Sequence, residues 1–321
     1  MKSNPAVLFI IFNRPEVTRI TFERIRRARP RRLYVHADGA RATHPNDAAR
    51  CAASRQIIDS VDWPCEVKRL FRDQNLGCGP AVSGALNWFF DQEEEGVIIE
   101  DDCSPMPGFF EYCQLMLDRY RDAPAVMHIS GCGIASKYCP AGADGYLAPF
   151  PFIWGWASWR RAWQHYRFEL PAESDVAEIL AKQNPGGNFV HYWREKFEAV
   201  RTGEINTWDY QWVLSVWRAG GLAVTPVRSF VENIGAGPDA THPQGSENGF
   251  APVTSERFTP ASPIASVDTE IALREIHDQL FNPLARQTFW QRWVTHTAWF
   301  RWVYLGLRNR LRPTGSTPNR T

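Results

Sequence analysis

Short apolar runs alternate with segments of helical periodicity over the first 130 residues, and this alternation constrains the fold more than any other feature of the chain. The clearest helical segment is 80–92, where an apolar stripe at i, i+3 and i+4 spacing follows Pro80 at a helix-start position. A second helical segment is 108–120. Continuous apolar strands between helices are typical of a mainly parallel sheet covered on both faces. We therefore predict an α/β, Rossmann-like fold with strands at 6–12, 32–38, 67–71, 96–100 and 125–129.

The second half of the chain has a less regular pattern. A buried helix is predicted at 208–219 and a strand at 222–226. The stretch "FIWGWASWRRAWQHY" holds four of the fourteen tryptophans, which would suit stacking on sugars, although core packing is the usual role of tryptophan. After about residue 244 the composition turns to Gly, Pro, Ser and Thr. We expect one domain over 1–243, with halves at about 1–130 and 131–243, followed by a linker or cover segment at 244–286.

The tail at 287–321 is a separate unit. Its segment 287–312 carries four tryptophans, five arginines and no acid. That composition is typical of an amphipathic helix lying at a membrane interface against anionic lipid. A helix packed on the rest of the protein, with arginine stems covering apolar surface, is the alternative, because the aromatics occupy much of the helix circumference. Both interpretations of this basic aromatic tail stay open.

Charge and length limit the classes of ligand. The 321 residues suffice for one large domain or two smaller ones with a sizeable core. The formal net charge of +1 excludes a bulk electrostatic affinity for nucleic acid, since nucleic-acid-binding domains carry a strong excess of basic residues. We therefore expect no nucleic-acid partner and look for ligands at local sites. The sequence does not predict the oligomeric state.

Cysteine usage and apolar run lengths indicate the compartment. The seven cysteines are odd in number and form no C-x-x-C pair, which disfavours both a metal cluster and a disulfide framework. The N-terminal apolar run is short for a signal peptide, and no apolar stretch reaches the roughly 18 residues of a membrane span. We expect a cytoplasmic protein, with contact at the inner face of the cell membrane left open.

Three consecutive acids follow the predicted strand at 96–100. In extended geometry Glu100 and Asp102 share one face, and Asp101 points to the other. Two carboxylates about 4 Å apart repel by several kcal/mol in a partly buried site. A divalent cation would remove this repulsion, and Mg²⁺ or Mn²⁺ typically joins one or two carboxylates to the oxygens of a substrate phosphate. The stretch therefore predicts a metal-diphosphate site, with a solvated acidic turn as the alternative.

Two further polar residues follow predicted strands. Asp38 in "YVHADGAR" comes directly after the second strand, and Arg14 in "FNRPE" after the first. In open α/β sheets ligands bind beyond the carboxyl ends of the strands, where an acid can accept hydrogen bonds from a base or ribose and a guanidinium can meet phosphate. Taken alone, the Asp-Gly pair is typical of a simple turn. Because all these strands belong to one predicted sheet, we expect Arg14, Asp38 and Asp102 at the same edge.

Asp209 and His242 are candidates from the second half. Asp209 in "INTWDYQW" is flanked by aromatic rings, whose desolvating effect would raise its basicity towards that of a general base. Alternatively, Thr207 is an N-cap and Asp209 a first-turn acid favoured by the helix dipole. His242 lies in the Gly-rich segment "ENIGAGPDATH", where a closing loop could bring it to metal or phosphate, or where it is an ordinary surface histidine. The glycines of "NLGCGPAVSG" do not match G-x-G-x-x-G or a P-loop.

Several of these stretches together resemble one family. The order of "FNRPE", "HAD", "NLG", "IIEDDCSPMPGFFEYC", "WGWASW" and "WDYQW" is similar to that in nucleotide-sugar glycosyltransferases of the GT-A fold, most of all N-acetylglucosaminyltransferase I and its bacterial relatives. The resemblance covers roughly residues 5–243 as ordered motifs, and "IIEDDCSPMPGFFEYC" is its most specific part. It implies a GT-A-like fold for this domain.

The resemblance also implies roles for individual residues. Asp102 would be the metal ligand for Mn²⁺ or Mg²⁺. Glu100 and Asp101 would contact the ribose and sugar of the donor, and Arg14 and Asp38 its nucleotide. Asp209 would be the catalytic base. His242 has no secure counterpart in the family. The family's membrane-anchored stem is absent from this sequence, and the basic aromatic tail is the feature that could instead meet a membrane carrying lipid-linked acceptors.

These observations lead to one main hypothesis and two alternatives. The main hypothesis is a metal-dependent, inverting glycosyltransferase that moves a sugar from a nucleoside diphosphate donor, UDP being expected, to a hydroxyl of a glycan or glycolipid in surface polysaccharide synthesis. The first alternative is a sugar nucleotidyltransferase, although that class has a Gly-rich loop where this chain has "FNRPE". The second alternative is a non-catalytic glycan-binding or assembly protein.

Overall fold

A computed structural model describes residues 5–133, 139, 143–183, 187–235, 264–266 and 269–281. His242 and the segment 287–312 lie outside these residues. The strands β1 to β11 are Ala6–Ile11, Arg32–Ala37, Glu66–Phe71, Glu95–Glu100, Cys103–Pro105, Val126–Ser130, Gly145–Ala148, Trp156–Trp159, Leu222–Pro226, Val231–Asn233 and Ile264–Ser266. The helices α1 to α9 are Pro15–Ala28, Asp47–Gln56, Cys78–Phe90, Phe109–Tyr120, Arg160–Trp163, Glu173–Gln183, Gly187–Arg201, Asp209–Arg218 and Thr269–Leu280, with a 3-10 turn at Ile57–Ser60.

The strands form a nine-stranded, mainly parallel sheet in the order β11-β7-β9-β6-β8-β4-β1-β2-β3. Strands β1 to β4, β6 and β9 run in one direction, while β8, β7 and β11 run in the other. This confirms the predicted α/β, Rossmann-like class and each of the five predicted strands to within about a residue. The carboxyl ends of β1, β2 and β4 therefore lie next to one another along one edge of the sheet.

Helices cover both faces of the sheet, as continuous apolar strands require. On one face, Phe22 and Ile25 of α1 and Phe109 of α4 pack against the strands in a single buried cluster. On the other face, Leu86 of α3 and Trp212 of α8 belong to a second buried cluster. The two clusters fix the central strands from both sides, so the loops at the strand ends start from a rigid support.

The tryptophans of the aromatic stretch are part of the core. Trp156, Trp159 and Trp163 are all buried, and Trp156 stacks on Trp208 at a centroid distance of 5.7 Å. Core packing is therefore the role of these three side chains, as is usual for tryptophan. Trp154, the remaining member, is partly buried and packs against the clusters.

A third buried cluster joins α6 to α9 and extends beyond the predicted domain end. In α9, Ala272, Leu273 and Ile276 are buried in this cluster. Strand β11 pairs in parallel with β7 and forms one end of the sheet. In the segment 244–286, for which the sequence predicts a linker or cover, the described elements bury apolar side chains and complete the sheet.

None of the described helices has the length and apolar character needed to cross a bilayer. All seven cysteines are free thiols.

His36 on β2 links the stability of this core to pH. Its side chain is only 1% exposed, and neither ring nitrogen has a hydrogen-bond partner among the described residues. Burial, followed by the charges of Arg72 and Arg55, lowers the pKa of His36 from 6.5 to about 4. The unfolded chain therefore takes up a proton near pH 6.5 that the folded protein does not bind until about pH 4, so stability falls as the pH falls through this window.

We expect His36→Leu to remove this dependence. Between pH 7 and pH 5 the wild-type protein should lose about 2 kcal/mol of unfolding free energy that the variant retains. Urea denaturation at the two pH values measures the difference, with His44→Asn, a change at an exposed histidine, as the control. Equal pH slopes in the wild-type protein and the His36 variant would contradict the assignment.

Candidate functional site

The predicted site residues gather at one edge of the sheet. Arg14 follows β1, Asp38 follows β2, and the acids at 100–102 end β4 and begin the turn to β5. The first residue of α8, Asp209, lies close enough for its charge to contribute to the raised pKa of Glu100. The structure thus brings together all the predicted site residues that it describes.

Asp101 is held by contacts within the protein. Its carboxylate accepts hydrogen bonds from the Arg14 guanidinium at 2.5 Å and from the Phe12 amide at 3.2 Å, and the Thr18 hydroxyl lies 3.5 Å away. Its carbonyl oxygen accepts a further bond from the Thr21 hydroxyl at 2.8 Å. The residue is only 3% exposed. These contacts occupy the carboxylate predicted to touch the donor, so Asp101 acts in the structure as an anchor between β4 and α1.

Asp102 is the more accessible member of the pair. The Arg14 Nη2 atom lies 3.0 Å from its Oδ2 atom, and the side chain is 18% exposed. Strand β10 pairs with β5 beside it, and the Ile234 amide donates to the Asp102 carbonyl oxygen at 2.8 Å. A Cβ atom added to Gly235 would lie 2.3 Å from Asp102 Oδ2, so the backbone can approach this carboxylate only because residue 235 is glycine.

The carboxylates of this edge disfavour one another's charged forms. Burial, followed by the charges of Asp102, Asp101 and Asp209, raises the pKa of Glu100. Burial also raises the pKa of Asp101, and the positive charge of Arg14 partly offsets this shift. The three acids therefore oppose one another's ionisation, and Arg14 favours the charged form of Asp101.

Asp38 has a hydrogen-bonding role that the sequence did not reveal. Its carboxylate accepts bonds from the amides of Gly39, Leu76 and Gly77 at 2.9 to 3.1 Å and from the Asn75 side chain at 2.9 Å. Asp38 therefore fixes the "NLG" loop that leads into α3. The loop largely occupies the acceptor sites of this carboxylate, and its contact with a nucleotide stays a prediction.

Asp209 lies in the first turn of α8, as one of the two sequence interpretations predicted. Trp208, and not Thr207, stands at the N-cap position. The Thr207 hydroxyl instead donates a hydrogen bond to Asp209 Oδ1, which orients the carboxylate. The neighbouring rings of Trp208 and Trp212 are buried in the core, so they fix the start of the helix beneath a partly buried Asp209.

Asn206 joins the two helix N-termini at the site, and sequence reasoning did not identify it. Its Oδ1 atom accepts a bond from the Gly79 amide in the first turn of α3 at 2.8 Å. At Gly77, φ is +82°, and an added Cβ would lie 2.5 Å from Asn206 Nδ2. The sequence signal for this contact is the pair of glycines in "NLGCG", which mark a close approach of two backbone segments.

The donor set suits a metal whose remaining ligands come from a substrate. No group of three or more His, Cys, Asp or Glu side chains in the described part of the chain forms a ready-made metal site. Asp102, partly exposed and beside the glycine backbone at 235, can supply one carboxylate ligand. A small divalent cation that is bound through one or two carboxylates and substrate phosphates needs no more from the protein. The residues therefore fit the predicted cation.

Comparisons with known proteins identify no family. No family model matches the sequence, and no curated protein matches it. Among solved structures, HddC from Yersinia pseudotuberculosis is 11% identical with a TM-score of 0.31, over 53% of this chain and 84% of that one. A UDP-glucose pyrophosphorylase in complex with UDP-glucose is 11% identical with a TM-score of 0.31, over 69% of this chain and 90% of that one. The 4-diphosphocytidyl-2C-methyl-D-erythritol synthase from Anaerococcus prevotii is 11% identical with a TM-score of 0.29, over 56% of this chain and 85% of that one. Because these likenesses are slight, the resemblance to N-acetylglucosaminyltransferase I remains a prediction.

Proposed function

We propose that the protein is a metal-dependent, inverting glycosyltransferase that uses a nucleoside diphosphate sugar, with UDP as the expected nucleotide. The observation that carries the proposal is the position of Asp209 at the start of α8, close enough to the acid that ends β4 for its charge to raise the pKa of Glu100. An enzyme of this kind needs a binding centre for the diphosphate and, separately, a base for the acceptor hydroxyl. The described chain has candidates for both within one site.

The donor would bind along the carboxyl edge of β1, β2 and β4. In open α/β sheets this edge is the usual position of nucleotide ligands. Arg14 offers a guanidinium to the diphosphate, and Asp38 holds the 75–77 loop in shape beside it. Since Asp101 anchors α1 and Asp102 is assigned to the metal, Glu100 would be the acid that contacts the hydroxyls of the donor.

Asp209 would take the proton of the acceptor hydroxyl as the oxygen attacks the anomeric carbon from the face opposite the diphosphate. The bond from Thr207 orients this carboxylate at the start of α8, where it would act as the base. The attack forms the new glycosidic bond and breaks the bond to the diphosphate, which leaves with its electron pair. A bound divalent cation would supply Lewis-acid stabilisation of that leaving group.

The acceptor is proposed to be a hydroxyl of a growing glycan or glycolipid. The proposal rests on the sequence resemblance. We also propose, from the sequence, a cytoplasmic location and a contact of 287–312 with the inner face of the cell membrane. A liposome-sedimentation assay with anionic lipid would test the membrane contact directly.

Calorimetric titration with UDP-sugars, with and without Mn²⁺, tests the proposed function. We expect donor binding that requires Mn²⁺, followed by slow release of free sugar and UDP in the absence of acceptor. Donor that is neither bound nor hydrolysed in the presence of Mn²⁺, across the common UDP-sugars, would contradict the proposal. Affinity for glycans without affinity for nucleotides would favour the non-catalytic alternative.

Nucleotidyl transfer is the second candidate. The same carboxylates could hold the metal-bound phosphates of a nucleoside triphosphate, and one of the solved structures above is a UDP-glucose pyrophosphorylase. The two activities give different products from different substrates. Release of pyrophosphate from UTP and a sugar 1-phosphate would identify the nucleotidyltransferase, while release of UDP from a UDP-sugar would identify the glycosyltransferase.

A further inference from the structure

One nitrogen of Arg14 contacts two carboxylates that differ in their exposure to solvent. Its Nη2 atom lies 2.5 Å from Asp101 Oδ1 and 3.0 Å from Asp102 Oδ2. Burial opposes the charged form of this guanidinium, but the charges of Asp101 and Asp102 more than compensate and raise the pKa of Arg14. Arg14 is thus a permanent positive charge between two acids of the proposed metal centre.

The two carboxylates that Arg14 contacts differ in how firmly the rest of the protein holds them. Asp101 is buried and accepts a further hydrogen bond from the Phe12 amide. Asp102 is 18% exposed, and its Oδ1 atom has a weak contact with the Cys103 thiol at 3.5 Å. Arg14 can therefore release Asp102 and keep its bond to Asp101. The opposite exchange would leave a buried carboxylate without its cation, which is costly.

Arg14 contacts the acid that the proposed function assigns to the metal. A cation that binds through Asp102 Oδ2 must compete with the guanidinium already bonded to that oxygen. The approach to Oδ2 is narrowed further by the backbone of Gly235. Metal binding and the Arg14–Asp102 pair are therefore expected to exclude one another at this oxygen.

We propose that the Arg14 guanidinium neutralises Asp102 in the free protein. When the metal binds to Asp102, the guanidinium moves to the donor diphosphate. This inference rests on the proposed function and adds a regulation of the same site. A metal alone must displace Arg14 without offering the guanidinium a new partner. A diphosphate offers that partner, because guanidinium groups bind phosphate oxygens in strong, charge-assisted pairs.

The consequence is that the metal and the diphosphate each bind weakly alone and more tightly when the other is present. Each ligand strengthens the other by the same factor, since coupling between two binding sites is reciprocal. Part of the coupling comes from direct contact between metal and phosphate in any such site. The part contributed by Arg14 is separable, because removing the guanidinium should strengthen binding of the metal alone and weaken binding of the diphosphate.

The test is a titration of Mn²⁺, followed by the magnetic resonance signal of the free ion, with and without saturating UDP. For Arg14→Gln we expect Mn²⁺ alone to bind about tenfold more tightly than to the wild-type protein, because a competing cation has been removed. UDP should bind about tenfold more weakly in the presence of Mn²⁺. A residue that only supports the fold, or only contacts the donor, would not give these opposite signs.

Arg26→Gln is the matched control, because Arg26 lies on α1, the helix that begins directly after Arg14, and forms exposed ion pairs with Glu23 and Asp62. We expect it to leave both affinities unchanged. Should Arg14→Gln fail to fold, Arg14→Lys keeps one positive charge without the forked guanidinium and should give a smaller shift in the same directions. Metal-only affinity that is unchanged or weaker in the folded Arg14 variants would overturn the inference. If the wild-type protein binds no UDP at all, the proposed function fails, and the metal-only comparison still decides the role of Arg14.

Discussion

Asp209→Asn is expected to lower kcat with saturating acceptor by a factor of about 10² to 10⁴, the usual contribution of a positioned general base. Asparagine has nearly the same shape and can stay hydrogen-bonded to Thr207, but it cannot take a proton. Donor affinity should stay within about threefold of the wild-type value, since Asp209 is assigned to the acceptor side. Steady-state kinetics together with titration of UDP-sugar separates the two effects.

The control for this variant is Asp175→Asn. Asp175 is also a first-turn acid, in α6, so the change removes a comparable interaction with a helix dipole and leaves the proposed site intact. We expect it to keep normal turnover. Near-normal turnover of Asp209→Asn would show that the base assignment is wrong, even if donor binding behaves as proposed.

Asp102→Asn is expected to abolish the metal dependence of donor binding and to lower kcat by a factor of about 10² or more. An amide oxygen is a weaker ligand for a hard cation than a carboxylate. The unfolding free energy without metal should change by less than about 1 kcal/mol, because the variant loses the Arg14 pair and also the repulsion from the neighbouring acids. Titration of UDP-sugar with and without Mn²⁺, combined with urea denaturation, measures both quantities.

Glu232→Gln provides a charge-matched control for this change. Glu232 is an exposed acid on β10, opposite Ser104, and it is not one of the proposed ligands. Its variant should retain metal-dependent binding. If Asp102→Asn also kept the full effect of Mn²⁺ on donor affinity, the metal would have to be held elsewhere.

The positions of the site residues could be predicted from the sequence, because they depend on local pattern. Apolar runs located β1, β2 and β4, and parallel strands deliver their carboxyl ends to one edge. The residues immediately after those strands, such as Asp38 and Asp102, are then neighbours whatever the details of the loops. The fold class and the gathering of the candidates follow from this reasoning.

What each carboxylate does could not be predicted in the same way. Whether a carboxylate is already hydrogen-bonded within the protein depends on partners that are distant in the sequence. Asp101 accepts a bond from the Phe12 amide, 89 residues away, and Asp38 accepts one from the Leu76 amide, 38 residues away. A strand-end acid that anchors a loop and one that faces a ligand have the same sequence pattern. Only the packing of α1 against β5 and of the 75–77 loop against β2 separates the two cases.

The anchoring by Asp38 has a consequence for mutational studies of this site. A single carboxylate supports the loop that begins α3, and α3 is tied through Asn206 to the start of the helix that carries Asp209. Loss of Asp38 would therefore disturb the proposed nucleotide site and the alignment of Asp209, the proposed base, together, and kcat and KM would both change even if Asp38 never touches the nucleotide. At this position a loss of activity measures the integrity of the scaffold, and contact with the ligand has to be established by a different observable.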